Sequence, residues 1–247
     1  VFANAQKDDM SQAWPDTYFK NAKFIYNRLE NNVYEGETPR FWPNVKSLVF
    51  AGYSNACNID DIAENSTMNF TNNIMTINGY IQDNTKTGLG ANDLMWFPHD
   101  SKSYTKQTEA IGVTMKHACS WITVKVLSDG NYTDLKLKGL TINDLYHTGT
   151  ATCKATAAEW ATSGEAVSEV LYSNEGEAVS TVAKIFENTP NNMVVIPQVP
   201  TTIDVTYSFV PQTGIEPVSE TKTRLSLKYN GNAAWESGKH YIYTITI

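Results

Sequence analysis

No stretch of the sequence approaches the roughly eighteen consecutive apolar residues that a membrane-crossing helix needs, and no basic-then-apolar leader precedes Val1-Phe2-Ala3, which already reads as strand. Charge is scarce. Only 18% of the 247 residues are Asp, Glu, Lys or Arg, a poor supply for long solvated helices. With 19 basic and 26 acidic residues the net charge is -7, so bulk electrostatics does not steer the chain toward nucleic acid or an anionic membrane. Three cysteines, Cys57, Cys119 and Cys153, are too few and too widely spaced for a disulfide framework or a paired-cysteine metal site. One bridge with a thiol left over fits the count. At least two of the three are expected to be small buried hydrophobes.

Groups that carry chemistry are also missing. His99, His117, His147 and His240 are scattered, with no i, i+4 pair to present two imidazoles to zinc. Asp60 and Asp61 are adjacent, so they diverge on a strand and offer a loop at most a surface cation. Nothing marks two carboxyls facing each other as in a glycosidase. Gly88-Leu89-Gly90 lacks the third glycine and the lysine of a phosphate loop and reads as a turn. No G-x-S-x-G elbow occurs. Cys119 and His117, as i, i+2 on one strand, would share a packing environment. No catalytic, cofactor-binding or metal-ligating residue is therefore assigned, no cofactor is expected, and the chain is not read as an enzyme.

Aromatic residues, by contrast, are plentiful at 11%, with 13 Tyr and 6 Trp, and Thr, Ser and Asn replace the absent charge. That mixture suits strands with one solvated face. The organising stretch is Asn191 to Phe209. Met193 to Ile196 is a short apolar run expected as a covered strand, ended by Pro197 and Pro200. In the next strand Ile203, Val205, Tyr207 and Phe209 face one way, and Thr202, Asp204, Thr206 and Ser208 the other.

Further strands are expected at Phe24–Tyr26 and Val33-Tyr34 as a hairpin, at Leu48 to Tyr53, at Asp93 to Phe97, and as short pieces joined by polar loops between Ser54 and Asn92. A short amphipathic segment is expected around Met10, Trp14, Tyr18 and Phe19, limited by Pro15. The aperiodic stretch Asp100 to Gln107 predicts a domain boundary, dividing the chain into 1–110 and 111–247. Beyond it, Ile122, Val124 and Val126 share a face. Leu135 and Leu137 alternate with lysines until Gly139, where the phase slips to Leu140 and Ile142, the mark of a bulge. Ala155 to Ala161 reads as a short helix or turn, and Val182 to Phe186, Leu225 to Tyr229 and Tyr241 to Ile247 as strands. Trp42, Trp121 and Trp235 are expected as core anchors, while Trp14, Trp96 and Trp160 leave open a surface that stacks sugar rings. Asn65, Asn69 and Asn131 sit in glycosylation-type sequons.

Five of these stretches, in order from Trp42 to Tyr243, resemble the fimbrillin-like (type V) pilins of Bacteroides-type bacteria. They are Trp42-Pro43 with Leu48 to Tyr53; Asp93-Leu94-Met95-Trp96; His117-Ala118-Cys119-Ser120, with cysteine where leucine is usual; the run ending Ile196-Pro197-Gln198; and Trp235, Gly238-Lys239 and Tyr241-Ile242-Tyr243. The resemblance implies an all-β chain of two transthyretin-like antiparallel sandwich domains in tandem. It implies export as a lipoprotein to the outer membrane and cell surface, and a role as stalk, anchor or tip of a fimbria. Its partners would be other pilin subunits. In relatives that polymerise, a protease removes the first strand and a strand from the next subunit takes its place, which is β-strand addition. The abrupt start at Val1 is compatible with such cleavage and equally with a trimmed or disordered terminus. At the other end the chain stops at Ile247, on the tyrosine strand, where polymerising relatives carry further residues that could serve as donor. Either those residues lie outside this sequence or the subunit accepts a strand without donating one in the usual way. The alternative is a cell-surface adhesin or carbohydrate-binding module.

Overall fold

The computed structural model describes residues 1–6, 13–27, 33–38, 47–54, 56, 58–83, 93–98, 110–187, 193–211 and 218–247. Expectations for Met10, Trp42-Pro43, Cys57, Gly88 to Gly90, His99 and Asp100 to Gln107 lie outside them. The chain is nearly all strand and forms two compact units. The first comprises Val1–Tyr80, Leu94–Ala118 and Thr150–Ala161, and the second Ile81–Asp93, Cys119–Gly149 and Thr162–Ile247.

In the first unit, β1 (Phe2–Gln6) and β2 (Ala13–Phe19) are antiparallel. The amphipathic segment expected around Trp14 and Tyr18 is thus a strand. Pro15 cannot sit inside a helix, yet an edge strand tolerates its missing donor, and β2 is the edge of the sheet ordered β2-β1-β5-β8-β9. The hairpin β3 (Phe24–Asn27) and β4 (Val33–Gly36) pairs Tyr26 with Tyr34 as expected. Strand β5 (Ser47–Ser54) is the dense strand read from Leu48 to Tyr53, and it buries Leu48, Val49 and Ala51.

A seven-residue helix α1 (Ile59–Asn65) follows, unforeseen because one buried residue, Ile62, makes no helical period. Asp60 and Asp61 occupy its first turn, where they complement the positive end of the helix dipole, so they belong to neither a strand nor a loop. Strands β6 (Thr67–Asn69) and β7 (Ile74–Ile81) are antiparallel, with Met75, Ile77 and Tyr80 inward. Strand β8 (Met95–Phe97) buries Trp96 and pairs with both β5 and β9 (Lys116–His117).

The second unit is built around β10 (Ser120–Leu127), whose Ile122, Val124 and Val126 enter the core. Strand β11 (Tyr132–Cys153) has the expected phase slip. Leu137 opposes Tyr207 and Gly139 opposes Thr206, leaving Lys138 as the extra residue, so Leu135 and Leu137 before it and Leu140 and Ile142 after it are all buried. A turn closed by Lys154 N–H on the Ala157 carbonyl leads into β12 (Ala158–Ala178), a long strand that pairs with β11. Only the turn expected between Ala155 and Ala161 is there; Trp160 lies on the strand.

The remaining strands are β13 (Lys184–Ile185), β14 (Met193–Val195), β15 (Thr202–Pro211), β16 (Val218–Ser226) and β17 (His240–Thr246). Strand β13 is shorter than expected, with Val182 exposed, and β16 begins before the Leu225 start expected for it. Strand β14 is antiparallel to β10, but β17 runs parallel to it, pairing Trp121 with His240 through to Leu127 with Thr246. The expectation of a purely antiparallel arrangement is corrected there. Sequence periodicity describes the faces of a strand and carries no sign of its neighbour's direction.

Candidate functional site

A strand-built protein offers a partner its backbone edges and the side chains beside them. In the first unit the relevant strand is β1, which lies inside its sheet rather than at an edge. Its pairing with β5 is unbroken from Phe2 opposite Ala51 to Gln6 opposite Ser47, whereas its pairing with β2 is interrupted by two register shifts. Ala3 is fully buried. The slot between β2 and β5 is therefore filled by the chain's own strand, held regularly on one side and irregularly on the other.

In the second unit the organising pair is fastened by polar side chains. Gln198, in the Ile-Pro-Gln tag, is buried, and its amide closes a two-bond ring on β11. It accepts from Tyr146 N–H at 2.9 Å and donates to the Tyr146 carbonyl at 3.0 Å, with a further bond to the Ile196 carbonyl at 3.1 Å. The Gln198 carbonyl takes the Trp235 backbone N–H. Two family tags are joined in this way. Asn143 donates to Thr202 and accepts from Ser168, linking β11 to β12 and to the start of β15.

Asp204 departs from the half-buried pattern. Its row was expected to face solvent, yet it is buried, because Arg224 grips it with Nε at 2.6 Å and a terminal nitrogen at 3.0 Å, and Lys222 adds a contact at 3.0 Å. The Arg224 hydrogen bonds hold the Asp204 carboxyl well below the usual carboxylate range. Register pairs Asp204 directly with Arg224. Sequence reading missed the pair because the register was unknown.

The aromatic tags are structural. Trp235 is 1% exposed and donates its indole N–H to Tyr243 Oη at 2.9 Å, while Tyr241 Oη receives the Glu236 N–H and packs edge-on against Tyr229. Trp96 is equally buried. Trp160 is part-buried, donating to the Ala118 carbonyl at 2.8 Å. Trp121 is not the core anchor expected. It is half-buried and stacked on His240 at 4.2 Å between ring centres. The side chains of Trp14 and Trp42 lie outside the described residues.

Among the described residues the candidate chemical groups do not converge. His240 contacts Thr123 Oγ1 at 2.8 Å, and His147 faces Glu169 at 3.6 Å. His117 lies exposed on β9, while Cys119 is buried outside that strand, so the two do not share one strand face. Cys119 and Cys153 are both buried. Asn65, Asn69 and Asn131 are exposed. No helix among the described residues is long and apolar enough to cross a membrane.

Among curated proteins none matches the chain. Among solved structures it is similar to a protein of Bacteroides uniformis ATCC 8492 proposed to be a cell adhesion protein, with a TM-score of 0.54 and 15% identity over 100% of this chain and 86% of that one. At that identity the likeness concerns the fold. A family model described as fimbrillin-like matches residues 1–247, and the chain belongs to the fimbrillin-like family.

Proposed function

We propose that the chain is a non-enzymatic structural subunit of a cell-surface fimbria, serving as stalk, anchor or tip and joining its neighbours by β-strand addition. Membership of the fimbrillin-like family supports the surface role. The observation that supports strand addition is the placement of β1, bonded on both sides between β2 and β5. Removing such a strand uncovers two facing rows of backbone donors and acceptors plus a buried position at Ala3, which an extended strand from another subunit can satisfy. A division into transthyretin-like sandwich domains at 1–110 and 111–247, export as a lipid-anchored precursor, and residence at the outer membrane belong to this reading.

The test is to remove residues 1–12 and offer the shortened chain a synthetic peptide of the β1 sequence, or a strand from a second subunit. Uptake that raises the melting temperature and survives mild denaturant supports the reading. A shortened chain that folds and takes up neither strand overturns it. The alternative role, a surface adhesin or carbohydrate-binding module, is favoured by the adhesion role proposed for the Bacteroides uniformis protein. Binding to a glycan array by a strictly monomeric chain would select it.

A further inference from the structure

We propose that the second unit carries a further subunit contact, in which the outer edge of β12 in one copy pairs with the outer edge of β16 in a second copy. In the hydrogen-bonding order β16-β15-β11, with β12 also on β11, neither β12 nor β16 has a second strand partner among the described residues. The two rims are margins of one sheet.

Their charges are complementary. From Thr162 to Ala178, β12 carries Glu165, Glu169, Glu175 and Glu177 and no Lys or Arg; Glu177 pairs with Lys184 and Glu169 faces His147, so the rim's acidic character toward a second copy rests on Glu165 and Glu175. Strand β16 exposes Lys222 and Arg224, two cations that share the one buried carboxylate of Asp204, followed by Lys228, against the single acid Glu220, which pairs with Lys138. Like charges directly opposite one another disfavour strand pairing, so β12 repels a second β12 and β16 repels a second β16. The pairing left is between unlike edges. Such a contact is heterologous and need not close, so it propagates as a row.

Length and exposure agree. Nine residues of β12, Thr162 to Val170, are exposed almost throughout, including Val167 at 44% and Val170 at 58%, and β16 is nine residues long. Gly164, in the left-handed region at φ +81°, bends β12 near one end of that stretch. An exposed strand edge with two uncovered valines is a pairing template, and the glutamates select which edge it accepts. The contact is separate from replacement of β1 and does not require it.

The test uses the full chain with β1 intact, followed by sedimentation velocity at low and high salt. Wild-type protein should self-associate with rising concentration and dissociate as salt is raised. Glu165→Lys with Val167→Lys on β12 should weaken association about tenfold, and so should Lys222→Glu on β16, because each sets like charges together. Mixing the two variants sets the lysines introduced on β12 of one copy against the glutamate introduced on β16 of the other, and should restore association between unlike copies. Lys228→Glu, outside the Asp204 pair, repeats the β16 arm if Lys222→Glu lowers the melting temperature. Wild-type chain that stays monomeric at low salt, or that binds a Lys-rich peptide along β12 without self-association, overturns the proposal. So does a mixture that fails to associate although both variants are folded. Failure of β1 replacement with intact charge-dependent association would sink only the strand-addition reading.

Discussion

Asp204 on β15 and Arg224 on β16 face each other in register and share two hydrogen bonds, 2.6 Å from Nε and 3.0 Å from the terminal nitrogen. The pair covers a carboxylate that the strand's alternation would have left in water, and it fastens an edge strand to its sheet.

Acid should therefore lower the stability of the fold through this pair. The Asp204 carboxyl titrates below its unfolded value of 3.8, so its contribution is complete above that pH and is lost as pH falls from there toward the folded value. Thermal melts at pH 7 and pH 3 should differ less for Asp204→Asn than for wild type. An unchanged difference would assign the acid sensitivity to other carboxylates.

Gln198 serves Tyr146 as both acceptor and donor. Gln198→Ala should cost about 1–3 kcal/mol by leaving buried backbone groups unpaired, a fall of several degrees in melting temperature for a chain of this size. Gln198→Glu keeps the acceptor but turns a carboxylate toward the Tyr146 and Ile196 carbonyls, so it should be worse at neutral pH than in mild acid. Equal melting of both variants at all pH values would refute the two-bond ring.

Trp235 has the buried indole and Tyr243 the hydroxyl that satisfies it. Tyr243→Phe removes that acceptor while keeping the ring, and should destabilise by about 1–3 kcal/mol. Urea denaturation followed by tryptophan fluorescence measures the loss. Trp235→Phe added to Tyr243→Phe should cost less than the sum of the two singles, because the orphaned N–H disappears with the indole.

Gly52 sits opposite Phe97 across β5 and β8, and a Cβ on it would stand 2.5 Å from Cε1 and 2.8 Å from Cζ of that ring. Gly52→Ala should destabilise the first unit by about 1–3 kcal/mol through overpacking. Phe97→Leu in the same chain should recover part of it. If Gly52→Ala melts like wild type, the ring moves aside without cost.

Apolar periodicity made much of the fold legible. The strand from Leu48, the strand from Tyr241 and the slip at Gly139 were readable because one face of each must leave water, and the hairpin at Phe24 and Val33 because turn residues separate its two halves. Strand β12 was invisible for the converse reason. Between Thr162 and Val170 both faces stay exposed, so nothing enforces alternation and the backbone pairing with β11 defines the strand. Strand β16 was placed too far along the chain because its apolar signal begins only at Leu225, while the rest is held by pairing with β15 and by Arg224 on Asp204. The fastening roles of Gln198 and Asp204 were hidden, since each depends on a partner 20 or more residues away.

By itself the sequence determined a nearly all-β chain, the inward faces of β10, β11 and β15 and its membership of the fimbrillin-like family, because alternation and burial are local properties of the chain. Tertiary structure alone decided that β17 runs parallel to β10, that β1 is enclosed by β2 and β5, and that β12 and β16 are left as oppositely charged margins of one sheet. Those outcomes rest on long-range backbone hydrogen bonds. Every residue but proline offers the same donor and acceptor, so side-chain identity does not announce which strands will meet.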